Sequence, residues 1–144
     1  MAKGWAKFPY PEKKFTYSAA TLKKAWDRLH KGDCEPWPKD AAVLEAWIAF
    51  HAGEFHKAAE LGLAAGGAGI TAANKATAIY ANYLEENEKK KLALFEEVAE
   101  RAEAQQADEP KNANAYYWQA YALGCLALPV GFFAHRAILG ALLR

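Results

Sequence analysis

The chain is poor in the residues that build several kinds of protein. Its 144 residues include two cysteines, one methionine and one serine. Cys34 and Cys125 lie far apart and form no CxxC pair, which argues against a disulfide scaffold and points to a reducing, cytoplasmic setting. Charge of one sign is also missing. The formal balance is +1, from 18 basic and 17 acidic residues, so no global field draws the chain to nucleic acid or an anionic membrane. Long hydrophobic runs are lacking too. The longest uncharged apolar stretch, 124–134, is about half the ~20 residues of a membrane span, and His135 and Arg136 end it. The opening residues, MAKGWAKFPYPEKKF, have no apolar run after their lysines and do not read as a secretory leader.

What is present is alanine. It occupies 33 positions, against 6 prolines and 10 glycines. Alanine is the strongest helix former, so this composition predicts an all-α fold. No segment shows the strict alternation of a half-buried strand. A chain of this size buries roughly 70% of its unfolded surface, enough for a core without metals or bridges.

Punctuation divides the chain. Residues 1–17 hold Pro9 and Pro11 among lysines and aromatics, and predict an extended arm that docks through Trp5, Phe8, Tyr10 and Phe15. The signs favour docking: residues 1–40 carry nine basic against five acidic residues, and 41–100 five against nine. The remainder, 18–144, reads as one helical domain. Ser18 is placed to cap a helix over 19–31, with Leu22, Trp26 and Leu29 on one stripe. Asp40 caps a helix over 41–52, Gly53–Glu54 turns, and a helix follows over 55–65. After the glycine run 66–69, Thr71 caps a helix to about Leu84. Another runs from Lys89 to about Ala107, with Leu92, Phe95, Val98, Ala99 and Ala102 inward. The segment 113–124 is helical with Tyr116, Ala120 and Leu123 on one face. Pro129 and Gly131 predict a break before a last helix over 132–143. The hairpin units fall at about 40–66, 71–109 and 113–143.

Ala46, Ala81 and Ala120 recur in the first helices of these pairs, and Ala58 and Ala93 recur 35 apart in the second ones. Small residues at fixed places allow close helix contacts. Gly53-Glu54-Phe55-His56-Lys57-Ala58-Ala59 resembles the turn and second-helix opening of the tetratricopeptide-repeat family. Pro110-Lys111-Asn112-Ala113 with Tyr116 and Ala120 resembles its repeat boundary. The likeness covers about 40–125, although Glu45 and Gln119 stand where the family usually has leucine. It is the look of bacterial proteins that carry such repeats. The resemblance implies antiparallel hairpins stacked as a short right-handed solenoid with a concave groove.

Trp47, Asn82 and Tyr121 occupy equivalent places in this overlay, and the resemblance implies that they line the groove. Val43, Ala78 and Tyr117 would stand in the row beside them, with Lys75 and Asn114 at the lip. The function implied is a non-enzymatic module that binds a peptide or partner protein. The alternative is self-assembly, a homodimer formed through Phe132, Leu139 and Leu142 of the apolar C-terminal helix. No cofactor, metal or nucleic acid is expected. His51 and His56 flank a turn and do not form the HExxH zinc pattern. The glycine run before Thr71 lacks the lysine of a phosphate loop.

Overall fold

The computed structural model describes residues 4–142, with side-chain detail for 4–128. It is all-helical. After a 3-10 turn over Lys13–Phe15 come α1 (Ala19–Leu29), α2 (Ala41–His51), α3 (Phe55–Ala65), α4 (Gly69–Tyr83), α5 (Glu88–Asp108) and α6 (Ala113–Leu142). No strand occurs among the described residues. No helix among them is long and apolar enough to cross a membrane.

Local chemistry sets most of the ends. Ser18 and Thr21 form a reciprocal capping box at the start of α1. The Asp40 carboxylate accepts the Ala42 N–H at 2.7 Å. The Asn87 side chain accepts the Lys90 N–H at 3.0 Å, satisfying a donor that the helix itself cannot pair. Gly53 turns the chain between α2 and α3 at φ +79°, a conformation open to glycine at little cost. Thr71 does not cap α4. The helix starts earlier, at Gly69, and Thr71 is buried with its hydroxyl accepting the Gln105 amide at 3.0 Å.

From α2 onward each helix packs on the next. The even-numbered helices α2, α4 and α6 also touch in order, while α1 rests on α2. α3 and α4 approach closely. A methyl added at Gly62 would stand 2.4 Å from the Gly69 carbonyl oxygen, and one at Gly69 would stand 2.5 Å from that of Gly62. Two glycines therefore let two backbones meet where no side chain fits. Three groups form the core: Leu22 and Trp26 with Val43, Ala46, Trp47 and Ala72; Ala49 with Ala58, Ala59 and Ala76; and Tyr80 and Ala81 with Phe95, Val98, Trp118 and Ala122.

The small-residue pattern holds in part. Ala46, Ala58 and Ala81 are buried, but Ala93 and Ala120 are exposed. In α5 the inward stripe includes Leu94, Phe95, Val98, Ala99 and Ala102, with Leu92 half-buried. In α6 the buried face is Ala115, Trp118 and Ala122, while Tyr116 and Leu123 stand in solvent. Both sides of α6 are apolar, so its periodicity did not choose between them, and the bulk of Trp118 filled the gap beside α5. The break expected at Pro129–Gly131 is absent, and α6 is one helix of 30 residues in place of a hairpin. A proline removes one hydrogen bond from such a helix, and a bend can absorb it.

Candidate functional site

The α1–α2 connector brings distant polar residues together. Its shape begins at Trp26, whose indole N–H donates to the Glu35 carbonyl at 2.7 Å. Cys34 takes the left-handed conformation, φ 51°, unusual for a residue with a side chain. The loop turns Asp33 and Glu35 inward. Asp33 accepts from the Lys75 ammonium of α4 and lies 3.0 Å from His30 Nδ1. Lys75 also stands over the rings of Phe50 and Trp47, at 5.3 and 5.6 Å. On its other edge, His30 Nε2 meets His51 Nε2 at 3.0 Å. Glu35 accepts from the Asn114 amide at the start of α6.

These environments drive the two carboxyl groups apart. Burial pushes the Glu35 carboxyl up to about 7 against the hydrogen bond from Asn114, with the Asp33 charge adding to the rise. Burial acts on Asp33 the same way. Hydrogen bonds from His30 and Lys75, with the Lys75 charge, outweigh it and hold that carboxyl well below the ordinary range. His51 is pulled down to about 4 by burial and then by the charges of His30 and Lys75. His51 is therefore neutral near pH 7. An ionised Asp33 only accepts, so the proton between it and His30 sits on Nδ1.

Two clefts flank this connector and share Asp33, Ala113 and Asn114. One, of ≈ 590 Å³, is lined by Glu35, Cys34, Glu109 and Lys111. The other, of ≈ 600 Å³, is lined by Leu29, Lys75, Ile79, Tyr117 and Trp118. Beyond the second cleft the α4–α6 surface continues. The Asn82 amide donates to the Tyr121 hydroxyl at 3.0 Å, and the rings of Tyr117 and Tyr121 lie 6.2 Å apart. Burial pushes the Tyr121 hydroxyl above its usual range. Tyr117 is 53% exposed and Tyr83 71%.

Four of the residues expected at a groove, Lys75, Asn82, Tyr117 and Tyr121, therefore lie along one α4–α6 surface. Asn114 lines the clefts but is buried, its amide held by Glu35, and Ala78 is buried in the core. Val43 and Trp47 are not at the surface either. They are 4% and 0% exposed, because α1 lays Leu22 and Trp26 over that face of α2 and Ala72 of α4 closes it from the other side. Phe132, Leu139 and Leu142 lie outside the residues whose side chains are described. His51 and His56 part company: His51 meets His30, while His56 pairs with Glu60 at 3.5 Å and meets the edge of Trp5. Among the described residues no cluster of three or more His, Cys, Asp and Glu could hold a metal ion.

Sequence reasoning missed the His30, Asp33 and Glu35 group. His30 and His51 stand 21 residues apart, and Glu35 and Asn114 stand 79 apart. The one local signal was the connector Gly32-Asp33-Cys34-Glu35-Pro36-Trp37-Pro38, where two acidic residues run straight into a Pro-Trp-Pro sequence. No family model, no curated protein and no solved structure matches the chain.

Proposed function

We propose that this chain is a non-enzymatic protein–protein interaction module, a short right-handed stack of tetratricopeptide-like hairpins. Its partner is an extended peptide segment lying along the α4–α6 surface. The observation that carries this reading is the row of exposed Asn82 and Tyr117 with half-buried Tyr121, running on from the ≈ 600 Å³ cleft that Lys75 and Asn114 border. Tyrosines present large area at little entropic cost, and their hydroxyls pair with a peptide backbone. Contacts between neighbouring helices, and among α2, α4 and α6, support a stacked arrangement with one extended surface. Lys75 is already held by Asp33, so the groove suits an uncharged segment better than a terminal carboxylate. A reducing, cytoplasmic setting fits the two free cysteines.

The test is selection of peptides from a displayed random library on the intact chain, followed by calorimetric titration of a selected sequence. Tyr117→Ala with Asn82→Ala should weaken binding at least tenfold and leave the melting temperature unchanged. Selected peptides indifferent to both substitutions would sink the reading.

A second reading is self-association through α6. Over its 30 residues the only formally charged one is Arg136, and its outer side exposes Tyr116, Leu123 and Leu128 at 47%, 50% and 72%. Sedimentation of the wild type beside Leu123→Glu decides it: a dimer that the substitution dissociates supports it, and a wild-type monomer at high micromolar concentration removes it.

A further inference from the structure

The N-terminal arm lies on the body as a bound peptide lies on a receptor. Residues 4–12 have no regular structure apart from a turn at Gly4 and a bend at Pro9, and two side chains three apart anchor them. Trp5 stacks on Tyr80 with ring centroids 4.2 Å apart and planes at 12°, and meets His56 edge-on at 5.3 Å. Phe8 meets the edge of Phe55 at 6.0 Å and presses on Gly53, where an added methyl would come within 2.5 Å of its ring. Between the anchors, the Ala6 N–H donates to the Tyr80 hydroxyl at 2.9 Å, and that hydroxyl donates in turn to Glu85. The seat thus has two ring pockets and a backbone acceptor between them, as sites that read extended segments do.

The hold on the arm is light. Among the described residues, the Ala6 bond is the one hydrogen bond from 4–12 to the helices. The Trp5 indole N–H is buried without a partner, a cost the seated arm carries. Tyr10 is 72% exposed. Open space continues on either side of Trp5. A cleft of ≈ 630 Å³ runs along Glu60, Leu63, Glu97 and Arg101, and one of ≈ 430 Å³ runs past Lys7, Glu54 and Lys57. Glu54, Glu60 and Glu97 stand at the rims already paired with Lys57, His56 and Arg101, so among the described residues they leave the clefts no free negative charge.

We infer that this seat is a second docking site, for an extended segment of a partner protein with two aromatic side chains three residues apart, and that the chain's own arm holds it closed. It shares no residue with the α4–α6 surface. A tethered arm competes at an effective concentration of about millimolar, so a partner must either bind more tightly or use the clefts that the arm leaves empty.

The probe is a labelled synthetic peptide of residues 4–12, and the receptor is the full chain carrying Trp5→Ala and Phe8→Ala. Fluorescence anisotropy should show the peptide binding this variant at least tenfold more tightly than the wild type, whose arm competes. The same peptide with both aromatics replaced by alanine should not bind. Equal binding of the two peptides, or no binding by a variant whose circular dichroism matches the wild type, would overturn the inference. So would a wild-type dimer that the double substitution converts to monomer, because the arm would then be seated in a second copy. Hydrogen exchange of the wild type is independent of any variant. The Ala6 amide should exchange at least a hundredfold faster than the interior amides of α4, since the arm leaves without unfolding the helices. Equal protection would make the arm a fixed part of the core.

Discussion

Two regions fasten the N-terminal quarter of the chain to the later helices, and they use opposite physics. The α1–α2 connector is held by charge and directional bonds: Asp33 to Lys75 and His30, and Glu35 to Asn114, all largely out of water. The arm is held by ring area: Trp5 on Tyr80, and Phe8 on Phe55 and Gly53, with one backbone bond. A buried polar joint fails abruptly, because removing one member leaves the others desolvated and unpaired. An aromatic contact fails in proportion to the area lost and is indifferent to pH. The connector therefore behaves as part of the fold, and the arm as something that can leave it.

The sharpest way to break this contrast is Asp33→Ala. It strands Lys75 and His30, whose side chains are 17% and 1% exposed, and should cost about 3–5 kcal/mol in urea unfolding. A loss below about 1 kcal/mol would show that water replaces Asp33 freely.

Trp5→Ala should cost less, about 1.5–2 kcal/mol, since the ring is half-buried and its neighbours lose area but no charge partner. Its effect measured at pH 5 and at pH 8 should be the same. A pH-dependent loss would point to His56, whose ring Trp5 meets edge-on, and not to ring area alone.

The pH profile separates the two carboxyl groups. Glu35 titrates at about 7 in the folded chain against an ordinary 4.5, so between these values the folded state binds the extra proton. Its contribution is fully present below 4.5 and is lost as pH rises through 7, by an amount on the order of 1–3 kcal/mol. Asp33 has the opposite sign. Its folded carboxyl is depressed, so its contribution is present above the ordinary carboxylate range and lost as pH falls below it. His51, lowered to about 4 from an ordinary 6.5, loses its contribution as pH falls through that range and so opposes Glu35 there. Stability should therefore be level between about 4.5 and 6.5 and fall on either side. Glu35→Gln should remove the decline toward pH 8 and leave the acid limb in place, read as melting temperature against pH. An unchanged decline would assign it to another group.

The smallest effect belongs to Tyr117→Ala. At 53% exposure the ring supports little of the fold, and the change should stay within about 0.5 kcal/mol. A larger loss would make Tyr117 part of the core and weaken the case for a free α4–α6 surface.

Much of the helical plan was legible. Ser18 and Asp40 are cap residues by chemistry, and the Leu22, Trp26, Leu29 stripe and the Phe95, Val98, Ala99, Ala102 stripe name their own buried faces. These are effects within one or two turns of chain, and a linear reading reaches them. Of the candidate groove, Lys75, Asn82, Tyr117 and Tyr121 were found together, but Val43, Trp47, Ala78 and Asn114 are buried. The overlay of hairpins carried no information about α1, which covers them.

By itself, then, the sequence determined the elements: alanine-rich helices, their polar caps and the glycine turn at Gly53 that reverses the chain. Only the tertiary structure decided which side of α6 is buried, because Ala115, Trp118 and Ala122 on one side and Tyr116, Ala120 and Leu123 on the other are equally apolar until a neighbour arrives. It also decided that Gly62 and Gly69 face each other, that His30 finds His51, and that Glu35 reaches Asn114. The reason is common to all three. Burial and pairing energies depend on distances through space, and the chain order of these residues carries no record of them.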